Sequence, residues 1–199
     1  MAESIFTAEG YIRPALLLAA YRGGLFPMSL DHRGEIGWFS PDPRGVIPLE
    51  EFHIPKSLAR TVKKAPFEIH FDTAFGEVIR GCALRDTTWI SQRIRTSYEK
   101  LFELGYAHSV ECWNGNRLVG GLYGVAIGGA FFGESMFSRE TDASKIALVA
   151  LVNHLRARGF ALLDTQWSTP HLARFGCREI PRDDYLAQLD HALAVDATF

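Results

Sequence analysis

Two sets of polar residues stand in apolar company along this chain. Glu134 lies between Phe131-Phe132 and Met136-Phe137, and Asp164 and Gln166 follow Ala161-Leu162-Leu163. Residues two apart on a strand share a face, so Asp164 and Gln166 are expected to point the same way. An acid at the end of a central apolar strand is costly to bury without partners. Two readings stand at this point: a structural acid hydrogen-bonded to a loop, or a carboxylate that carries chemistry.

Other catalytic signatures are weaker. Gly133-Glu134-Ser135-Met136-Phe137 begins like a nucleophile elbow, but the closing Gly is missing and the segment sits within a strand pattern. The seven His show no i, i+4 pairing, so a metal site is not expected. Cys112, beside a strand core, reads as a small buried hydrophobe. Phosphate-loop and dinucleotide fingerprints are missing from the sequence. Gly120-Gly121 and Gly124 read as places where another backbone or a ligand approaches a sheet.

The elements that would carry these residues follow from turn and cap signals. A helix is expected from Ala15 to Arg22, with Pro14 in its first turn and Gly23-Gly24 at its end. A Pro- and Gly-dense stretch with Phe26, Trp38 and Phe39 comes next, read as loop, with a domain boundary near 40–45. Helices are expected over 57–64, from an Asp72 cap to about Leu84, and over 96–104. Strands are expected over 67–71, 108–113, 118–127 and 130–137, with Asn114-Gly115-Asn116 as a hairpin turn. Asp142 is read as the cap of a helix over 143–158, followed by a strand over 160–166. A short helix from Thr169-Pro170 and a last one over 182–193 complete the chain.

An antiparallel meander, then a helix, then a strand argues for an α+β fold with a mixed, largely antiparallel sheet. The order is similar to the N-acetyltransferase (GNAT-like) fold, an analogy that gives no function by itself. Enzymes of that plan hold a cofactor pyrophosphate with a Gly-rich loop at a helix N-terminus. Here that loop is Ser138-Arg139-Glu140-Thr141-Asp142, with no Gly and two acids. An acyl-CoA donor is therefore disfavoured.

Composition sets the remaining bounds. The chain has 199 residues, 47% hydrophobic and 22% charged, which suits a globular protein with its own core. Three separated Cys give neither a disulfide framework nor a zinc site. The apolar run at 15–20 is too short for a signal segment or a membrane span, so a soluble cytoplasmic protein is expected. A net charge of −2 is not that of a protein that only holds nucleic acid. Any such contact must use a local basic patch.

The stretches AYRGGLFP (20–27), WFSPDPRG (38–45), AHSVECW (107–113), LVGGLYGVA (118–126), FFGESMFS (131–138), ASK (143–145), LLDTQ (162–166) and IPRDDYL (180–186) occur in order. Through them the chain resembles the leucyl/phenylalanyl-tRNA–protein transferases over nearly its whole length. The resemblance implies a small N-terminal domain (1–44) and an acyltransferase-like domain (45–199). It implies a bacterial N-end-rule enzyme that moves Leu or Phe, and Met weakly, from tRNA to proteins beginning with Arg or Lys. No cofactor is implied, and a monomer is expected.

By the same resemblance, the catalytic pair falls on Asp164 and Gln166, and the acceptor-binding acid on Glu134. The terminal adenosine falls on Trp89 and on Met28, where many relatives have Trp. The aminoacyl pocket falls near Leu122, Phe131, Met136 and Leu163, and the tRNA-binding cluster on Lys56, Arg60, Lys63 and Lys64.

The aminoacyl ester is already activated, and an α-amine has a pKa of about 7.7–8.0. Positioning therefore matters more than strong base chemistry. Asp164 is expected to orient Gln166 through a hydrogen bond, with either Gln166 or Asp164 taking the amine proton. Glu134 is expected to attract the acceptor's cationic residue, and backbone N–H groups near Gly120-Gly121 to hold the oxyanion. Two other readings stay open: a small-molecule acyltransferase using CoA, and a non-catalytic tRNA- or degron-binding module.

Overall fold

Turn chemistry sets the centre of the fold. Gly115 and Gly128 take left-handed backbone angles, φ 56° and 55°, and fold residues 107–138 into three antiparallel strands. The computed structural model describes residues 5–31, 35–84 and 88–199. Its elements begin with helix α1 (Pro14–Arg22) and strands β1 (Phe26–Ser29), β2 (Ile36–Phe39) and β3 (Arg44–Ile47). Then come α2 (Lys56–Lys63), β4 (Glu68–Phe71), α3 (Phe75–Ala83) and α4 (Gln92–Glu103). The meander is β5 (Ala107–Asn114), β6 (Arg117–Ile127) and β7 (Ala130–Ser138). After it come α5 (Ala143–Ala157), β8 (Leu162–Gln166), α6 (Pro170–Ala173), β9 (Arg178–Ile180) and α7 (Arg182–Leu193).

Seven strands form one sheet in the order β4-β5-β6-β7-β8-β3-β9. Every neighbouring pair is antiparallel except β7–β8, which α5 connects as a parallel pair. The meander–helix–strand unit read from the sequence is thus present, in an α+β fold. One face of the sheet packs against α5 and α2, and the other against α1, α3, α4 and α7. A helix apolar nearly all round must be buried, and α5 buries eight of its residues, including Leu148, Leu151 and Leu155. Its first residue sits directly on β6. A Cβ on Gly120 would lie 2.5 Å from the Ala143 Cβ, so only glycine permits this contact.

The structure corrects several local expectations. The stretch read as loop holds the β1–β2 hairpin, paired from Phe26↔Phe39 to Ser29↔Ile36. It also holds the start of β3, which lies between β8 and β9 in the large sheet. Asp72 does not cap α3. It takes φ 59°, and its carboxylate accepts the Ser109 N–H at 2.8 Å and faces His108 Nδ1 at 2.8 Å. The N-terminus of α3 is instead held by buried Glu111, which accepts from the Thr73 and Ala74 N–H groups and the Thr73 and Ser109 hydroxyls. Asp142 likewise makes no side-chain cap on α5. It has φ 66° and pairs with Lys145 at 2.6 Å, while Ser138 Oγ accepts the Ser144 N–H at 2.9 Å.

Candidate active site

β7 and β8 pair from Ala130↔Leu162 to Phe132↔Asp164 and then part. Both strands change course at that point. Tyr123 pairs with Ser135 and Gly124 with Gly133, so Glu134 is the extra residue of a β-bulge in β7. Val46 pairs with Asp164 and Gly45 with Gln166, so Thr165 is the extra residue in β8. Gln166 then takes φ 61°. Bulges re-aim side chains and are frequent beside active sites. β3 must pass close under this turn. A Cβ on Gly45 would lie 2.4 Å from the Trp167 carbonyl carbon.

A cavity of about 320 Å³ opens where the strands separate. Gly133 to Met136 line it from β7, and Thr165, Gln166 and Trp167 from the end of β8. Leu122, Met136, Leu148, Leu151, Leu163 and Leu172 give it an apolar lobe, while Phe26, Met28 and Trp89 add an aromatic and thioether wall. The Ser29 N–H donates to the Trp89 carbonyl at 3.2 Å, which ties the Met28 strand to the Trp89 loop.

Two polar clusters adjoin this cavity. In the first, Asp164 is fully buried and accepts from Arg44 Nε at 2.9 Å and Arg44 Nη2 at 2.6 Å. It also accepts from the Tyr185 hydroxyl at 2.9 Å and the Gln166 backbone N–H at 2.8 Å. The Arg44 guanidinium lies over the rings of Tyr185 and Phe26, 4.4 and 4.9 Å from their centroids. Burial works against its charge, but the hydrogen bonds and charge of Asp164 outweigh that and raise its pKa. Burial beside Asp164 pushes the Tyr185 hydroxyl well above the ordinary tyrosine range.

The second cluster faces the cavity. Tyr21 donates to Glu134 Oε1 at 2.7 Å and Tyr98 to Oε2 at 3.0 Å, and the two tyrosine hydroxyl oxygens lie in close contact. Gln166 Nε2 reaches Glu134 Oε1 at 3.4 Å. Burial raises the Glu134 carboxyl to about 7, against the stabilising tyrosine hydrogen bonds. Both tyrosines are raised as well, by burial first and then by the Glu134 charge.

The structure therefore brings Glu134 and Gln166 together and sets Asp164 behind them. The expected hydrogen bond from Gln166 to Asp164 exists, but it comes from the peptide N–H rather than the side chain. The bulge at Thr165 and the left-handed Gln166 break the simple strand alternation that put both side chains side by side. Asp164 does not line the cavity, and Gln166 does.

Of the four residues expected around the aminoacyl side chain, Leu122, Met136 and Leu163 line the cavity. Phe131 does not. It is fully buried and stacks on Phe199 with centroids 5.4 Å apart. Gly120 and Gly121 are also misplaced by the sequence reading. Both pair with β5 and β7 inside the sheet, so their N–H groups do not face the cavity. Lys56, Arg60, Lys63 and Lys64 are all exposed on and just after α2. The first three, at i, i+4 and i+7, form one helical stripe.

Sequence reasoning missed Tyr21, Arg44, Tyr98, Tyr185 and Trp167. Tyr21, Arg44 and Tyr185 lie inside the stretches AYRGGLFP, WFSPDPRG and IPRDDYL, so those blocks carried a signal without naming the residue. Leu148 and Leu151 look like any other core positions of α5.

The sequence model of leucyl/phenylalanyl-tRNA protein transferase matches residues 46–190, and that of its N-terminal domain matches residues 10–42. The chain belongs to the leucyl/phenylalanyl-tRNA protein transferase family, and so is an aminoacyltransferase working between tRNA and protein. Proteins of that name from Akkermansia muciniphila and Herpetosiphon aurantiacus are 56% and 55% identical to it. These alignments cover 92% and 94% of this chain and 96% and 98% of theirs. One from Phenylobacterium zucineum is 59% identical over 92% of this chain and 85% of its own. Among solved structures, L-PGS from Bacillus licheniformis is 13% identical, covering 81% of this chain and 55% of that one at a TM-score of 0.42.

Proposed function

We propose that this enzyme moves Leu or Phe, and Met weakly, from aminoacyl-tRNA to the α-amine of proteins beginning with Arg or Lys. The added residue marks those proteins for N-end-rule degradation. The observation that supports this reading best is one cavity with an apolar lobe beside the Glu134–Gln166 pair. Leu122, Met136, Leu148, Leu151 and Leu163 offer a dry site for an aliphatic or aromatic side chain. A lobe of this kind separates substrates differing by a methylene by only about 1–3 kcal/mol, which accounts for weak Met transfer.

In this reading, the terminal adenosine lies against Trp89 and Met28, which puts the ester next to Gln166. With Nε2 toward Glu134, the Gln166 carbonyl oxygen accepts the proton side of the attacking amine. Asp164 serves by fixing the Gln166 backbone rather than by touching substrate. Glu134, once ionised, attracts the cationic first residue of the acceptor. Its carboxyl is neutral below about pH 7 and charged above it, so acceptor capture rises with pH through that range. Lys56, Arg60, Lys63 and Lys64 meet tRNA phosphates, each contributing to a salt-dependent affinity.

We place the division between the small N-terminal domain and the acyltransferase-like domain at 44/45, and the enzyme in the cytoplasm as a monomer. Among the described residues, no helix is long and apolar enough to cross a membrane. The acyl-CoA alternative is disfavoured at the start of α5. There the Ser144 amide is taken by Ser138, and Glu140 holds Arg117 and Asn114.

The test uses labelled leucyl-tRNA and a protein with N-terminal Arg. Label on the protein, lost when its first residue is Ala, is the expected result. CoA-dependent acylation without transfer from tRNA, or tRNA binding without product, would overturn the proposal.

A further inference from the structure

Trp167 is 41% exposed, an unusual state for an indole, and it stands at the mouth of the cavity next to Gln166. Its backbone is pinned from several directions. Gln166 is held left-handed by Asp164, the Trp167 N–H donates to the Thr165 carbonyl at 2.7 Å, and the Gly45 backbone runs so close that a Cβ there would lie 2.4 Å from the Trp167 carbonyl carbon. Its ring meets Phe26 at 88° with centroids 5.2 Å apart, and Phe26 is itself stacked on Phe39 and sits beside the Arg44 guanidinium. An exposed aromatic on a fixed backbone is a ready surface for a flat ligand, because little freedom is lost on binding.

We propose that Trp167 is a stacking surface for the terminal adenine of the aminoacyl-tRNA, acting with Trp89. This rests on the transfer reaction proposed above and adds a nucleobase-binding residue to it. Three observations bear on the choice of ligand. Trp167 lines the same cavity as Trp89, Met28, Glu134 and Gln166, so a base on its ring lies within one nucleotide of the proposed reacting groups. The wall from β1 presents Met28, whose flexible thioether gives a base no flat face of its own. Trp167 provides that flat surface from a different element, the end of β8. Among the described residues, the cavity's other polar atoms belong to Glu, Gln, Ser, Thr, Tyr and His, with no Lys or Arg on its wall. A neutral base suits that wall better than a phosphate.

The probe is a non-hydrolysable 3′-leucylamido-adenosine, measured for binding to the full chain alongside the transfer assay. Base–aromatic stacking is worth about 1–3 kcal/mol, so Trp167→Ala is expected to weaken probe binding by roughly 5- to 150-fold. Trp167→Phe, which keeps a smaller flat ring, is expected to recover most of the loss. Probe binding is also expected to quench tryptophan fluorescence, with part of the quench missing in Trp167→Phe. A role confined to packing on Phe26 would lower thermal stability in Trp167→Ala and leave probe affinity at the wild-type value. Wild-type affinity in both variants, with leucine transfer intact, overturns the inference and leaves the transfer reading standing. Absence of leucine transfer by the wild-type protein overturns that reading and this inference with it.

Discussion

Asp164 accepts four hydrogen bonds, from a guanidinium, a phenol and a peptide N–H, and has no exposure. Glu134, across the splayed strands, accepts from two phenols and an amide, none of which carries a positive charge, and it faces the cavity. The contrast lies in compensation. A buried ion with a matched partner stays ionised and its loss leaves that partner stranded. A buried carboxylate with only neutral donors is pushed toward its neutral form, here to about 7. Glu111 shows that neutral donors can also serve structure alone, since both its oxygens are taken up holding the start of α3. What sets Glu134 apart is its place on a bulge at the edge of an empty space.

The comparison breaks most visibly at Asp164. Asp164→Ala strands the Arg44 charge in the interior, and we expect a loss of about 3–5 kcal/mol of stability, read from denaturant unfolding. The double variant Arg44→Met with Asp164→Leu is expected to lose much less than the two single changes added together. Simple additivity would show that the ion pair is not the reason for the effect.

Gln166→Ala is the counterpart on the cavity side. We expect single-turnover transfer to fall by roughly a hundredfold, in the range seen when an oriented polar group is removed. Aminoacyl-tRNA affinity should stay close to wild type. Enlarging Leu122 to Phe shrinks the apolar lobe and is expected to shift donor choice toward Leu by about tenfold, within the span one side chain can give. An unchanged Leu-to-Phe ratio would place Leu122 outside the working pocket.

The smallest effect is on stability at Glu134, and its sign is opposite to that at Asp164. The folded pKa is raised, so the folded state keeps a proton that the unfolded chain releases near pH 4.3. The resulting penalty grows from about pH 4.3 to about 7 and is constant above. Glu134→Gln removes it and should gain about 1–2 kcal/mol at pH 8, allowing for partial exposure to the cavity. The gain should vanish at pH 4, and an equal gain at both values would contradict the raised pKa.

The legible parts of this molecule were those with local causes. Pro14 and Gly23 bracket α1, Asn114-Gly115-Asn116 makes its hairpin, and the apolar run of α5 must be buried. The strands β3 and β9 have four and three residues and no alternation to read. They exist because β8 offers one open edge and β3 then offers another. Asp72 and Asp142 looked like caps because cap chemistry is judged by residue type, yet both turned to side-chain or strand partners. In the site, Glu134 and Gln166 were legible as polar residues in apolar strands. Their partners were not, since Tyr21 reaches Glu134 across 113 residues of sequence and Arg44 reaches Asp164 across 120.

The division of labour between the two clusters has one decisive measurement. Transfer of leucine from leucyl-tRNA to a protein with N-terminal Arg is followed across pH 5.5–8.5 with wild type and Glu134→Gln, at saturating tRNA. The wild-type rate at low acceptor concentration is predicted to rise through an inflection near pH 7. In Glu134→Gln the component near pH 7 should be gone, leaving only the rise from the acceptor amine at about 7.7–8.0, and the preference for Arg over Ala at the acceptor's first position should be lost. A variant that keeps both the inflection near 7 and the preference would contradict the assignment of Glu134 to the reacting side of the sheet.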